Sequence, residues 1–492
     1  MKLYINGHEF NYELEKLTRL FFPFEKIDFL GREEENGVGL FAAAYLESRE
    51  NFYFLTAKAG FDGKVFEENK TITNNDFCLS LHEKEIEHYL AGLLFECYVR
   101  LTGFRPGWGI LTGIRPAKLY RRFAGLLGEK IADDYFLNVF KVESDKLSLL
   151  KRTANSEDKI ISLSKENSIS LYVSIPFCPS RCSYCSFVSH SIEKAEELIP
   201  TYLNLLCTEL EVTADIISRL NLEVMTVYIG GGTPTTLSSE QLDFLLKKIR
   251  SLFGYSFLEF TVEAGRPDTI TREKLLVIKN AGVDRISINP QTMNDEVLKA
   301  VGRRHTSAET KEVFSLARSL GFDNINMDLI AGLPTDTTES FKDTMKSVLD
   351  LNPESVTVHS LSIKRSSNMR DGNVPSFQDS LAASEMVKFA EKTLTKNEIL
   401  PYYMYRQSKT VGNLENIGYA KPQKEGIYNV YIMDETHTIL ACGASAVSKL
   451  KSQKSGKIER IFNYKYPYEY INDFDEILKR KEQIIKFYDE QY

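Results

Sequence analysis

The sequence predicts an α/β protein whose central part is an open, partial barrel of six strand–helix units. From residue 168 onward, short apolar runs rich in β-branched residues alternate with helical stretches. The six runs are LYVSIP, VMTVYIG, FLEFTVEA, DRISIN, NINMDLIAG and SVTVHSL. Continuously apolar strands that alternate with helices are typical of a parallel sheet covered by helices. Six units are about three-quarters of an eight-fold barrel, which favours an open barrel over a closed one.

Helices are predicted between these strands and after the last of them. The stretches with helical periodicity are 193–220, 237–252, 271–281, 307–320 and 337–350, followed by ASEMVKFAEKTLTK. The barrel is therefore expected to occupy residues 164–390. In such a barrel the functional side chains lie at the carboxyl ends of the strands.

Two further domains are expected on either side of the barrel. In an N-terminal α+β domain, residues 1–163, LYINGHEF predicts a strand, YELEKLTRLFF a helix, and FAAAYLES a strand that pairs with FYFLTAKAG. The charged stretch 152–167 suggests a linker or a boundary. Residues 391–492 are expected to form a mixed C-terminal extension that covers the substrate. Its predicted strands are YYMYRQ, YNVYIMDE and TILACGASAVSK, and its last 25 residues are predicted to be helical.

Composition limits the possible classes of function. Hydrophobic residues make up 43% of the 492 residues and charged residues 26%, as in ordinary globular proteins. The net charge of −7 argues against a general attraction to nucleic acid or anionic membranes. No apolar run approaches the length of a membrane span, and the first residues do not resemble a secretion signal. The seven cysteines are an odd number with three clustered, which favours a reduced, cytoplasmic, metal-binding protein over a disulfide framework.

The most informative motif is IPFCPSRCSYCSF, in which Cys178, Cys182 and Cys185 are spaced C-x3-C-x2-C. Three thiolates in one loop can hold three irons of a [4Fe–4S] cube and leave the fourth iron open. An iron with an open position can bind a small molecule and pass an electron to it. Zinc is the alternative metal, but a closed zinc site needs four ligands. The spare candidates, His190 and Cys207, do not have a customary zinc-finger spacing.

Other polar residues follow or end the predicted strands. The loop GGGTPT lacks the lysine that a phosphate-binding P-loop requires, and without the cysteines it would predict only a tight turn. Glu263 could accept hydrogen bonds from the hydroxyl groups of a ligand or be an exposed loop acid. Asp328 interrupts an apolar run and needs a partner if it is buried. His359 could be a proton donor or a satisfied core histidine.

These motifs together resemble a known superfamily. The cysteine triad with Tyr184 before its last cysteine resembles the radical S-adenosyl-L-methionine (SAM) superfamily. The series YVSIPFC, GGGTPT, VDRISINPQT, GRRHT and MDLIAGLP resembles its oxygen-independent coproporphyrinogen III oxidases, and GILTGIRPAKLY is similar to the HemZ-type coproporphyrinogen dehydrogenases. The resemblance is strong over residues 168–450 and looser over 100–122. It implies a partial (β/α)6 radical SAM barrel with a [4Fe–4S] cluster and SAM as cofactors.

The resemblance also implies roles for individual residues. The cluster ligands would be Cys178, Cys182 and Cys185. Tyr184 would lie near the adenine. The loop that meets the methionine amino group would comprise Gly231, Gly232, Thr233 and Pro234. The positions that hold SAM and its ribose would be Glu263, Gln291, Arg303 and Asp328. The candidate catalytic residues are Tyr172, which would lie beside the sulfonium, and His359.

Two positions depart from the prototype of the family. Ser174 stands where the prototype has a histidine, and Phe187 stands where it has a fourth cysteine. That cysteine is not a cluster ligand in the family, so cluster binding is unaffected. The departures concern proton or electron handling on the substrate side. Phenylalanine at this position also occurs in the related haem-chaperone branch.

The activity that the resemblance implies is oxidative decarboxylation without oxygen in haem biosynthesis. A low-potential donor such as flavodoxin or ferredoxin would reduce the cluster, and cleavage of SAM would give a 5′-deoxyadenosyl radical. The radical would take a hydrogen from the β-carbon of a propionate, and loss of CO2 and one electron would leave a vinyl group. Two such reactions turn coproporphyrinogen III into protoporphyrinogen IX. The alternatives are a radical SAM methyltransferase or ring-opening enzyme acting on haem, and a haem-trafficking chaperone.

Two aromatic and basic segments have several interpretations. Residues 97–128 contain six basic residues, no acidic residue and the single tryptophan, Trp108. They predict a solvated helix face first, a tetrapyrrole-carboxylate site second and a nucleic-acid site last. Tyr402, Tyr403, Tyr405 and Arg406 could line a flat macrocycle or belong to the core. Cys442 is expected to be a small apolar filler.

Overall fold

A computed structural model describes residues 1–31, 39–79, 82–185, 190–191, 195–362, 377–407 and 410–490. The chain divides into two compact units. The first comprises Met1–Ala154 with Arg406–Ser408 and Gly412–Leu414, and the second comprises Asn155–Tyr405, Lys409–Val411 and Glu415–Tyr492.

The first unit is built on a five-stranded sheet in the order β2-β1-β3-β4-β5. Its strands are β1 (Lys2–Asn6), β2 (Asp28–Gly31), β3 (Phe41–Arg49), β4 (Phe52–Phe61) and β5 (Lys64–Thr73). Strand β1 is parallel to β2 and β3, whereas β3, β4 and β5 are antiparallel, so the predicted pairing of FAAAYLES with FYFLTAKAG is confirmed. Helices α1 (Asn11–Phe21) and α2 (His82–Thr102) supply Leu14, Leu17, Leu90 and Leu94 to its core.

Three more helices complete this part of the chain: α3 (Pro116–Leu127), α4 (Glu129–Asp134) and α5 (Ser144–Ile161). The charged stretch 152–167 is thus helical as far as Ile161 and is not a linker there. Trp108 is only 1% exposed, and Arg100 and Arg105 pair with Glu68 and Glu96. An enclosed tryptophan cannot stack on a ligand, and two of the six basic residues of this segment are already paired with acids.

The second unit contains the remaining strands. They are β6 (Ser168–Ile175), β7 (Phe177–Cys178), β8 (His190–Ser191), β9 (Glu223–Gly231), β10 (Glu259–Glu263), β11 (Arg285–Ser287), β12 (Ile325–Ala331), β13 (Ser355–Ser360), β14 (Leu400–Arg406), β15 (Glu415–Ala420), β16 (Thr438–Cys442), β17 (Val447–Lys451) and β18 (Ile458–Phe462). The helices are α6 (Ile199–Arg219), α7 (Ser239–Phe253), α8 (Arg272–Asn280), α9 (Asp295–Ala300), α10 (Ser307–Ser319), α11 (Thr338–Leu351), α12 (Phe377–Lys396), α13 (Ile427–Asp434), α14 (Pro467–Asn472) and α15 (Phe474–Asp489).

The six predicted barrel strands lie side by side in chain order. Strands β6, β9, β10, β11, β12 and β13 are all parallel, and helices connect them. Beyond β6 the sheet continues through the parallel strand β16 to β17 and β18, and beyond β13 through the antiparallel strand β15 to β14. The sheet is therefore one open series, and its C-terminal strands extend both of its sides.

The C-terminal segment follows the prediction in part. YYMYRQ forms β14 as predicted, and the end of the chain is helical in α14 and α15. The strand predicted for YNVYIMDE is wrong, because these residues lie largely in helix α13. TILACGASAVSK forms two antiparallel strands, β16 and β17, instead of one. None of the helices among the described residues is long and apolar enough to span a membrane.

Candidate active site

The polar residues singled out in the sequence lie on neighbouring parallel strands. The cysteine loop follows β6, the glycine loop begins at the end of β9, and Glu263 is the last residue of β10. Gln291 follows β11 and bridges to Leu329 of β12, next to Asp328. His359 lies near the end of β13. Because parallel strands all end at the same edge of the sheet, these groups share one rim.

The glycine loop is bonded closely to the chain that leads into the cysteines. Gly232 N–H donates to the Ile175 carbonyl at 2.8 Å, and Thr233 N–H donates to the Phe177 carbonyl at 2.7 Å. The Thr233 hydroxyl lies 3.5 Å from Cys178 Sγ. A Cβ atom on Gly232 would lie 2.5 Å from the Phe177 oxygen and 3.0 Å from Cys178 Sγ. Only glycine permits this close approach.

The other two cysteines lie on a short loop held by backbone bonds. Cys185 N–H donates to the Cys182 carbonyl, and Ser183 N–H donates to the Val301 carbonyl, both at 3.1 Å. Cys178 and Cys182 are buried, Cys185 is half-buried, and all three are thiols. Among the described residues, no three His, Cys, Asp or Glu side chains converge as a single metal ion would require. A four-iron cube takes each thiolate on a different iron.

Arg303 links the cysteine loop to the residues that follow β11. Its Nε donates to the Tyr184 hydroxyl at 3.1 Å, and its Nη1 donates to the Asn289 carbonyl at 2.7 Å. The Asn289 side-chain oxygen accepts the Asp328 N–H at 3.2 Å. The Arg303 guanidinium group thus bonds directly to Tyr184 and Asn289, and Asn289 connects it to Asp328.

Asp328 and His359 form a second polar group on β12 and β13. His359 Nε2 lies 3.8 Å from an Asp328 oxygen, and its Nδ1 lies 3.2 Å from the Tyr405 hydroxyl. Asn326 donates to Asp328 at 2.7 Å. Desolvation works against ionisation of Asp328, but the nearby His359 and the hydrogen bond from Asn326 outweigh it and lower the pKa of this carboxyl group. Asp328 therefore stays ionised at neutral pH.

Glu263 has the opposite electrostatic character. Desolvation raises its pKa to about 7, although the hydroxyl of Tyr228 donates to it at 2.5 Å. The Tyr228 ring stacks on Tyr428 at 4.5 Å between centroids and on Tyr172 at 6.2 Å. Burial also raises the pKa of Tyr172, so its phenol remains protonated. Glu263, whose pKa is close to neutral pH, thus lies beside three stacked tyrosine rings.

Gln291 has two unusual features. Its backbone is left-handed, with φ of 69°, and its side-chain oxygen is buried without a hydrogen-bond partner among the described residues. Strained backbone and an unsatisfied buried acceptor are each costly, and both are concentrated at ligand sites. The arrangement leaves this oxygen available to a donor from a bound molecule.

The structure places all the predicted site residues in the second unit, and it also reveals some that sequence reasoning missed. Tyr228, Asn289 and Arg266 each bind a predicted site residue. Their partners lie between 14 and 84 positions away in the chain, so spacing gave no signal for them. Phe187 lies outside the described residues. Tyr402 and Tyr403 belong to a buried core cluster with Tyr431, so they do not line an open cavity.

Comparison with known proteins identifies the family. The model of the Radical SAM superfamily matches residues 172–348. The oxygen-independent coproporphyrinogen-III oxidase-like protein HemZ of Bacillus subtilis is 37% identical over 424 residues, which cover 83% of this chain and 85% of that protein. The chain belongs to this radical SAM family. The resemblance stated from the motifs is confirmed, and so is the α/β radical SAM fold.

Two other similarities are more limited. The heme chaperone HemW of Bacillus subtilis is 39% identical over 40% of this chain and 51% of that protein. The structure of coproporphyrinogen III oxidase (HemN) from Escherichia coli is 25% identical over 66% of this chain and 72% of that chain, with a TM-score of 0.49. The chain thus spans about half the length of the chaperone and most of the length of the HemZ protein.

Radical SAM proteins use a [4Fe–4S] cluster and SAM, and these are the cofactors of this chain. The residues present fit them. The donor set is three thiols on one loop, and the absence of a side chain on Gly232 lets the glycine loop pack directly against Cys178 Sγ. The unsatisfied Gln291 oxygen and the ionised Asp328 carboxylate are acceptors suited to the amino and hydroxyl groups of SAM.

Proposed function

We propose that this protein is a coproporphyrinogen dehydrogenase, which converts two propionates of coproporphyrinogen III into vinyl groups and releases two molecules of CO2. The observation that carries this proposal is the 37% identity to a coproporphyrinogen-III oxidase-like protein over 83% of the chain. The rim geometry supports radical chemistry, and the relative supports the tetrapyrrole. A low-potential electron donor such as flavodoxin or ferredoxin belongs to the proposal.

The proposed binding roles follow the positions of the side chains. Cys178, Cys182 and Cys185 would hold the cluster through their thiolates. The residues proposed to contact SAM are Tyr184, Gly231, Gly232, Thr233, Pro234, Glu263, Gln291, Arg303 and Asp328. When bound, the two cofactors supply a 5′-deoxyadenosyl radical able to remove a hydrogen atom from a propionate β-carbon.

The protein's own groups would orient the substrate and keep water out. The stacked rings of Tyr172, Tyr228 and Tyr428 form an apolar wall that shields a reactive species. His359 lies between an ionised carboxylate and the Tyr405 hydroxyl, so it can hold a proton at Nε2 and exchange it with a substrate carboxylate. Positioning of this kind limits which hydrogen atom is within reach.

The test is an anaerobic reaction of the reconstituted protein with SAM, dithionite and coproporphyrinogen III, followed by mass analysis of the nucleoside and the tetrapyrrole. The expected products are 5′-deoxyadenosine and a tetrapyrrole that has lost CO2 and two hydrogens at each of two propionates. Cys182→Ala should abolish both products, whereas Cys207→Ala, a buried cysteine on α6, should keep them. Formation of 5′-deoxyadenosine with an unchanged tetrapyrrole would show that the substrate is wrong.

A haem chaperone is the second candidate, because the heme chaperone HemW of Bacillus subtilis is 39% identical over 40% of this chain. The same preparation distinguishes the two functions. A chaperone would bind haem tightly, as absorbance titration shows, and would leave coproporphyrinogen III unchanged. A gain of a methyl group on haem, or an opened ring, would instead indicate the methyltransferase or ring-opening alternatives.

A further inference from the structure

Arg266 is a buried cation beside the cysteine loop. It lies in the segment that connects β10 to α8 and is only 3% exposed. Its Nη1 donates to the Ser180 hydroxyl at 2.8 Å and to the Ser180 carbonyl at 3.2 Å. The same nitrogen lies 3.9 Å from Cys182 Sγ. A guanidinium group therefore points at the sulfur of a proposed cluster ligand.

Asp268 fixes the orientation of this guanidinium group. One carboxylate oxygen accepts from Arg266 Nε at 3.0 Å and the other accepts from Nη2 at 2.7 Å. The bidentate pair leaves Nη1 for the cysteine loop. Asp268 also compensates the charge of Arg266. The cation makes the electrostatic potential at Cys182 more positive, and the carboxylate makes it more negative.

Arg303 also interacts with Cys182. It is committed to Tyr184 and Asn289 and is a proposed SAM contact, whereas Arg266 has none of these roles. His305 lies near both arginines, and burial lowers its pKa to about 4, so it adds no charge at neutral pH. Arg266 can therefore be varied without removing a proposed SAM ligand.

We propose that Arg266, acting through the Cys182 sulfur, raises the reduction potential of the cluster and that Asp268 limits this effect. Uptake of one electron makes the cluster and its thiolates more negative. A nearby cation and N–H donor stabilise that state more than the oxidised one, and both are known determinants of iron–sulfur potentials. Arg266 touches a ligand and not the reacting atoms, so it is a positioning residue. The effect requires the cluster only and is independent of the tetrapyrrole.

The test is a redox titration of the reconstituted full-length protein without SAM or substrate, monitored by electron paramagnetic resonance. One electron passes from dithionite to the cluster, and no bond forms or breaks. Arg266→Gln should shift the midpoint potential to a more negative value, and Arg266→Lys should shift it less. Asp268→Asn should shift it in the opposite direction. Arg272→Gln removes an exposed arginine nearby and should leave it unchanged.

The opposite signs separate an electrostatic role from a structural one. If the substitutions only loosened the cysteine loop, the midpoint potentials of Arg266→Gln and Asp268→Asn would shift in the same direction. This result would overturn the proposal. An unchanged potential in Arg266→Gln with full iron content would overturn it as well. If Arg266→Gln takes up no cluster, the midpoint potential of Asp268→Asn is the test. An unchanged or more negative potential in that variant contradicts the proposal. The proposed decarboxylation is measured separately, so the two can fail independently.

Discussion

At the scale of single residues, Gly232 sets the spacing between the glycine loop and the cysteines. Gly232→Ala would place a methyl group 2.5 Å from the Phe177 oxygen, which is backbone and cannot rotate away. We expect a loss of roughly 1–3 kcal/mol in the free energy of unfolding and loss of most of the bound iron. Iron analysis after anaerobic reconstitution and chemical denaturation measure the two effects.

Gly125 provides the matched control for this substitution. It lies in helix α3, and a Cβ there would meet nothing within 4 Å. Gly125→Ala should stabilise the protein by about 0.5–1 kcal/mol and leave the iron content unchanged. If Gly232→Ala keeps a full complement of iron, the close approach at Cys178 is not required for cluster binding.

Glu263 should make stability depend on pH. Its pKa is about 7 in the folded protein against 4.5 ordinarily, so the folded state holds the proton more strongly. Stability is therefore lost as pH rises from about 4.5 to 7, by about 3 kcal/mol at most. Glu263→Gln stays neutral and should match the original protein at pH 4.5 but be more stable at pH 8.

Unfolding free energies across this range measure the difference between the two proteins. Glu312→Gln, which removes an exposed carboxylate on α10, should not change the pH dependence. Equal slopes for Glu263→Gln and the original protein would mean that Glu263 ionises as an ordinary surface acid does.

The sequence could predict those site residues whose partners are near in the chain. The three cysteines of the cluster motif lie on one loop, so their spacing in the sequence predicts metal binding. Arg266 and Tyr228 contact residues 84 and 35 positions away, which only the folded chain brings together, and neither belongs to a recognisable motif. The contact between Asp328 and His359 likewise follows from the register of β12 and β13.

At the scale of elements, helix α13 shows why local preference failed. Its residues include tyrosine, valine and isoleucine, which favour strands. Glu259 of β10 is buried and accepts the N–H groups of Ile427 and Tyr428 at 2.6 and 3.4 Å. A carboxylate at the first turn satisfies donors that a helix leaves open and complements its dipole. The contact with Glu259 therefore decides the conformation of this segment, and it cannot be predicted from the segment's own residues.

Removal of this carboxylate should destabilise the second unit. Glu259→Ala removes the acceptor of one buried and one partly buried N–H donor and deprives Arg285 of a buried countercharge. We expect a loss of roughly 2–4 kcal/mol in the free energy of unfolding. Ser238→Ala, which removes an ordinary N-cap of α7, should cost only about 1 kcal/mol. Equal losses in denaturant titrations of the two variants would show that Glu259 is no more than a cap.

At the scale of the second unit as a whole, the C-terminal helix is connected to the first barrel strand. Lys481 of α15 and Glu209 of α6 form an ion pair of 2.9 Å, with exposures of 2% and 0%. Glu209 also accepts the Gly443 N–H at 2.7 Å. The neighbouring Ala444 N–H donates to the Tyr202 hydroxyl, which in turn donates to the carbonyl of Ser174 at 2.8 Å. The end of the chain therefore supports the strand that precedes the cysteines.

Lys481→Met tests this support. It leaves the Glu209 carboxylate buried without its cation, and we expect a loss of roughly 3–5 kcal/mol in the free energy of unfolding. The double variant Glu209→Gln with Lys481→Met removes both charges and should be more stable than Lys481→Met alone, because no uncompensated charge remains. Lys479→Met, an exposed neighbour on α15, should change stability by less than about 0.5 kcal/mol. Denaturant titrations of the original protein, Lys481→Met, Glu209→Gln and the double variant form a double-mutant cycle. If the double variant is less stable than Lys481→Met alone, the buried charges are not coupled, and α15 supports the first barrel strand by packing alone.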